Sequence, residues 1–157
     1  MKIKVEVVNK TRKYKINKKE VKYTVEYIVQ KFSNAQNINI DIAFVGKNRI
    51  RKLNKDFRKI DKVTNVLSFI IDDIPSQELT GEIVICPEKV EEEAKKLGNN
   101  FPDYALFIMI HGVLHILGFD HEKEEERLRM EKLEESLFSE VKTIIKKEVI
   151  ERCPLMP

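Results

Sequence analysis

All three histidines of this 157-residue chain lie in one eleven-residue window, HGVLHILGFDH, at positions 111, 115 and 121. His111 and His115 are four positions apart on a predicted helix. Four residues carry a helix about 40° past a full turn and about 6 Å along its axis, so both rings leave one face. Gly118 can then end the helix in a sharp turn, and Gly118-Phe119-Asp120 brings His121 back toward the same point. Three neutral imidazoles suit Zn²⁺, and also accept Ni²⁺, Co²⁺ or Fe²⁺. Three protein ligands leave one tetrahedral position open, where bound water becomes acidic near neutral pH. The residues therefore point to one metal ion held by His111, His115 and His121, in a catalytic rather than a structural setting.

Two other readings start from the same residues. A closed, structural zinc needs a fourth ligand: Asp120, Cys86 at the end of GEIVIC, or Cys153 in the tail. Neighbours in a turn seldom reach one ion together, and a lone cysteine is more often a small buried hydrophobe or a surface thiol. The second reading is a peptidase. His-x3-His-x5-His, with Gly three residues after the second His, is also the metzincin spacing. There a Glu general base follows the first His, whereas Gly112 stands here. Asp120 is read instead as a partner that steadies an imidazole from outside the ligand set.

A second dense stretch is NKDFRKIDKVTNVLSF, residues 54–69. Arg58 falls where a helix should end, and its guanidinium can fork onto two phosphate oxygens; the plainer role for such an Arg is to face the helix dipole. Thr64, Asn65 and Ser68 can satisfy loop backbone or line a cleft.

These side chains need elements to hold them. KIKVEVV (2–8) alternates and predicts a half-buried strand, as does INIDIAFVG (38–46). Between them Asn17, with Glu20 three residues on, marks a helix start, and apolar spacing carries that helix over 18–33. A second helix follows the second strand, with Ile50, Leu53 and Phe57 inward. NVLSFII (65–71) and GEIVICP (81–87) are two further strands, with DDIPSQELTG a loop between them. Pro87 opens a helix that Gly98 closes. Pro102 to Leu117 is apolar nearly all round and therefore central. The last helix, about 123–149, is charged and turns Leu128, Leu133, Leu137, Val141 and Ile144–Ile145 to the core. The fold class is α/β (α+β): a mixed sheet of about four strands with about five helices, the histidines on the central buried one. One domain over 1–157 suits the length.

Charge is uneven. Residues 1–67 hold 18 basic and 6 acidic side chains, and residues 68–157 hold 11 and 20, within a net charge of +3. A cationic face for a polyanion is one consequence. Two distant cysteines make no disulfide framework, the N-terminus has no apolar signal-peptide core, and YALFIMIHGVLHILGF is too short and interrupted for a membrane span. The expectation is a cytoplasmic, monomeric protein with no membrane partner.

Together the two dense stretches resemble the YbeY family of bacterial rRNA maturation endoribonucleases. HGVLHILGFDH looks like that family's histidine signature, FRKIDKVTNVLSF its arginine-and-TNVLSF segment, and GEIVICPEKV a third segment. The resemblance runs in order over essentially the whole chain and is weakest in the N-terminal third. Phe119, Val63 and Cys86 depart from the residues common in the family, and none of them is a ligand. The resemblance implies a single-strand-specific, metal-dependent endoribonuclease that matures the 3′ end of 16S rRNA and acts in late ribosome quality control. It implies one Zn²⁺ on His111, His115 and His121, catalytic roles for Arg58 and His115, and substrate binding by Arg58. Its partners would be single-stranded rRNA, the small ribosomal subunit and that subunit's proteins. The rival classes are a zinc-dependent hydrolase or peptidase and a non-enzymatic ribosome-assembly factor with a structural zinc.

Overall fold

Alternation of Ile3, Val5 and Val7 with charged residues gives β1 (Lys2–Asn9) one buried side and one wet side. In this computed structural model, which describes residues 1–120 and 122–154, the chain then forms β2 (Tyr14–Ile16), α1 (Lys18–Phe32), β3 (Asn37–Phe44), α2 (Lys47–Arg58), β4 (Val66–Ile74) and β5 (Glu78–Ile85). It continues through α3 (Pro87–Leu97), α4 (Phe101–Ile116), α5 (Glu124–Ile144) and β6 (Ile150–Arg152). The main sheet runs β1-β3-β5-β4. Its first three strands are parallel and β4 is antiparallel to β5. That makes the predicted mixed four-stranded sheet with five helices, and leaves β4 at an edge.

Each face of the sheet has its own core. Val5, Val7, Ile38, Ile40, Ile42, Leu79, Ile83 and Ile85 pack with α1, α4 and α5 into the large one. On the opposite face Val45, Ile50, Leu67, Val84 and Cys86 form a small cluster under α2. The apolar character of α4 follows from its place: it packs on α1, α3, α5, β4 and β5. Asn100 caps it, its side chain accepting from the Asp103 N–H at 3.1 Å. No helix among the described residues is long and apolar enough to cross a membrane.

Several sequence expectations need correction. β2 and β6 pair as a separate two-stranded sheet, with no signal in the alternation because each is only three residues long. DDIPSQELTG is largely strand: β4 reaches Ile74 and β5 begins at Glu78, joined by a tight turn with Ser76 at φ 64°. Pairing with β5 overrides the poor strand propensity of Asp72 and Asp73. α5 stops at Ile144, not near 149. Leu128 and Ile144 face solvent, and Phe57 is 66% exposed rather than inward. Asn17 precedes α1 as expected but makes no side-chain cap; its amide donates to the Glu148 carbonyl and ties down the chain after α5.

Helix and sheet approach closely at Gly81. A Cβ built there would sit 2.8 Å from both Cδ1 and Cγ2 of Ile116 in α4. Gly81→Ala is expected to cost about 1–3 kcal/mol of stability through overpacking, read as a lower midpoint in urea unfolding with an unchanged slope.

Candidate metal centre

α4 and the turn after it build the site. His111 and His115 leave the helix on one side and their rings meet edge to face, centroids 4.5 Å apart. The two Nε2 atoms are 2.9 Å apart. His111 turns its other nitrogen away from that meeting point: Nδ1 lies 2.8 Å from Oε1 of Glu134 on α5. A carboxylate only accepts, so Nδ1 is the donor to Glu134, and in the neutral imidazole that leaves the lone pair on Nε2. His115 Nε2 then faces a lone pair at hydrogen-bond distance.

These residues fit a metal ion. In a tetrahedral site two imidazole nitrogens, each about 2.1 Å from a shared ion, stand about 3.4 Å apart, so this pair needs only a small opening to share one. The helix therefore sets two nitrogens close to a separation that one cation can bridge, with one lone pair already fixed by the bond behind it. The α4 backbone continues past Leu117 to Gly118, whose φ of 91° makes the turn that the sequence predicted. His121, the expected third ligand, lies outside the described residues. Asp120 is exposed and lines the same cleft as His111 and His115.

Cys86 is on the wrong side of the sheet for a fourth ligand. It is fully buried in the cluster under α2, and burial pushes its thiol pKa up. Cys153 follows β6 and donates its backbone N–H to the Lys13 carbonyl. Neither lines the cleft.

The cleft holds about 750 Å³ and joins both stretches singled out from the sequence. One wall is α4 with its histidines; the other is edge strand β4 with Arg58. Arg58 closes α2, and Lys59 in the left-handed region (φ 62°) ends the helix there. The guanidinium reaches across β4: Nη2 donates to the Ser68 carbonyl at 2.7 Å, and the group lies 5.5 Å from the Phe69 ring centroid. Ser68 in turn donates its hydroxyl to the Gly112 carbonyl at 2.9 Å. Arg58, Ser68 and Gly112 thus form one chain of contacts from α2 to the helix of the histidines. Asn65 also borders the cleft and donates to Glu93 on α3 at 2.9 Å; Thr64 does not line it.

Gly112 explains the missing peptidase base. A Cβ there would lie 3.1 Å from Ile83 Cγ2, 3.2 Å from Val66 Cγ2 and 3.3 Å from Ser68 Oγ. The position points into the sheet, with little room for a methyl group and none for a carboxylate. Glu134 is the functional candidate that sequence reading missed. Its signal was available: it interrupts the inward stripe of Met130, Leu137 and Val141 with a charge, and it is buried.

The family described as Endoribonuclease YbeY matches residues 6–142. An endoribonuclease YbeY from Carboxydothermus hydrogenoformans is 43% identical over 100 residues, covering 64% of this chain and 70% of that protein. One from Caldicellulosiruptor saccharolyticus is 36% identical over 148 residues, covering 85% and 94%. One from Thermodesulfovibrio yellowstonii is 36% identical over 158 residues, covering 90% and 99%. The solution structure of TM1509 from Thermotoga maritima is similar with a TM-score of 0.56 at 28% identity, covering 88% of this chain and 92% of that one.

Because Gly112 faces packed side chains, Gly112→Glu is expected to lose about 3–5 kcal/mol, the cost of an uncompensated buried charge. Thermal unfolding of the chelated protein measures it, since a fall there reflects packing and not the metal.

Proposed function

The chain belongs to the YbeY endoribonuclease family, and from that premise we propose that it cuts single-stranded RNA in the cleft between α4 and β4, with Zn²⁺ on His111, His115 and His121. The substrate in this reading is the 3′ end of 16S rRNA, met on the small ribosomal subunit and among its proteins in the cytoplasm. The observation that carries the reading is the histidine pair and the Arg58 guanidinium bordering one cleft.

Arg58 supplies recognition and charge. One of its five N–H donors is committed to the Ser68 carbonyl. That bond and the Phe69 ring hold the guanidinium plane at the cleft, so a phosphodiester meets a donor fork already oriented. As phosphorus becomes five-coordinate, negative charge grows on its equatorial oxygens, and a fixed guanidinium offsets it without reorganising. The bound cation would supply Lewis acidity toward a phosphoryl oxygen and an acidified water. His111 and His115 hold that position, with the His111 ring fixed from behind by Glu134.

Single strands suit this geometry. The histidines lie in a recess between a helix and a sheet edge, where a flexible strand can bend a phosphate inward and a duplex cannot. α2 carries Lys47, Arg49, Arg51, Lys52, Lys55 and Arg58; Arg58 borders the cleft, and the positive charge of the helix adds affinity for the backbone of any sequence.

His115→Ala is expected to stay folded with an unchanged melting temperature in the chelated state and to lose cleavage of an RNA with a single-stranded 3′ tail. Arg58→Glu should keep its zinc and lose about 10²–10³-fold in cleavage rate. Both are read by gel assay on chelated and zinc-reloaded protein across a salt series, in which wild-type cleavage falls steeply as salt rises. Cleavage retained by either variant, or indifferent to salt, contradicts the assignment.

A further inference from the structure

Glu134 stands out among the buried polar side chains. The others among the described residues are Thr24 and Asn54, and each bonds to backbone within its own neighbourhood, Thr24 to the Glu20 carbonyl and Asn54 to the Lys62 carbonyl. Glu134 is the charged member of this group. Its side chain is 7% exposed, and it reaches from α5 to His111, 23 residues away in sequence. No lysine or arginine among the described residues forms an ion pair with it. A carboxylate buried against an imidazole N–H alone is a poor use of a core position, because desolvating the charge outweighs one hydrogen bond to a neutral donor. The arrangement makes sense if a positive charge arrives on the far side of the same ring.

We propose that Glu134 is the positioning residue of the metal centre: it fixes the His111 proton on Nδ1, aims the Nε2 lone pair at the cation, and supplies the buried negative charge that the cation balances. This rests on the zinc reading above and deepens it. The geometry gives each part. Oε1 sits 2.8 Å from Nδ1, so the proton is held on the nitrogen facing α5. Nε2 is the ring atom facing His115. A carboxylate behind an imidazole raises the basicity of its outer nitrogen and restrains ring rotation, and removing such a partner typically weakens metal binding about 10–100-fold. The register of α5 sets the reach: Met130 and Leu137, on the same stripe, are buried in the main core and hold the helix against α4.

A purely structural tie between α5 and α4 makes the opposite forecast, and the two separate cleanly. Glu134→Gln keeps the shape and one acceptor but removes the charge; Glu134→Leu removes both. For the positioning role, zinc affinity measured by competition with a chromophoric chelator falls about 10–100-fold in Glu134→Gln and further in Glu134→Leu. The chelated variants melt no lower than chelated wild type, because a buried charge has been relieved. Nitrogen-detected imidazole spectra of chelated wild type show His111 protonated on Nδ1, and Glu134→Leu loses that preference. Wild-type zinc affinity in both variants, a lower chelated melting temperature with affinity retained, or an Nε2-protonated His111 in wild type overturns the proposal. The last readout needs no substitution. If wild-type protein takes up no zinc, the reading of the previous subsection fails with it; if wild type binds and the variants bind equally, this inference alone fails.

Discussion

The arrangement depends on how close α4 lies to the sheet. Two glycines set that distance from opposite sides. Gly81 in β5 has no Cβ where Ile116 presses down, and Gly112 in α4 has none where Ile83, Val66 and Ser68 press up. With both backbones stripped at the contact, the Ser68 hydroxyl can reach the Gly112 carbonyl, and the Ser68 carbonyl can receive Arg58. One serine therefore couples the helix of the histidines to the guanidinium. Its two bonds belong to different groups, so the spacing across the cleft is set twice, once by apolar packing and once by polar contacts. Dense packing of this kind transmits displacement, since interiors have few voids in which a shift can be absorbed.

The opposite face of the sheet explains the charge asymmetry of the sequence. α2 covers only a small cluster, and its buried positions are Ile50 and Asn54. Leu53 packs partly buried on the same cluster, and most other positions are open to solvent and can be cationic at no cost to the core. Where α2 ends, it meets edge strand β4, the part of a sheet most prone to unwanted pairing. Arg58 bonded to the Ser68 carbonyl, and Phe57 set edge to face on Phe69 with centroids 5.5 Å apart, cover that edge with side chains. The acidic half of the chain supplies the other rim, where Asp120 and Glu122 line the cleft and Glu124, Glu125 and Glu126 begin α5. The two rims carry opposite signs, so a polyanion is drawn across the cleft toward Arg58 at the end of α2.

What was legible in the sequence was whatever depended on local geometry. Two histidines at helical spacing share a face whatever the rest of the chain does, and a glycine after them turns the backbone; both are found. The strands with strict alternation and the helices marked by Pro87, Gly98 and Pro102 are likewise local. What escaped depended on distant partners. β2 and β6 gain their conformation from pairing across nearly the whole chain. The second half of β4 is strand because β5 lies beside it, despite its aspartates. Glu134 shares the stripe of Met130, Leu137 and Val141, but in a helix crowded with glutamates its partner is decided by where α4 lies. Phe57 fits a helical spacing toward the core, but the small cluster under α2 is already filled by Ile50 and Leu67.

The placement of carboxylates also separates this site from the peptidases whose histidine spacing it shares. In those enzymes the acid is carried on the histidine helix, one residue after the first ligand, and works on the water that attacks the substrate. At that position here the chain faces β4 and β5, and the packing leaves little room for any side chain. The buried acid comes instead from α5 and meets His111 at Nδ1, the ring nitrogen turned away from the cleft. From there it acts on the imidazole and not on a substrate atom. A site built this way has placed its cation side chain, Arg58, on the substrate side and its buried anion behind the ligand. For the anionic substrate proposed above, the buried carboxylate is best kept behind His111, because Asp120 and Glu122 already line the cleft and a further carboxylate beside Arg58 would repel a phosphodiester there.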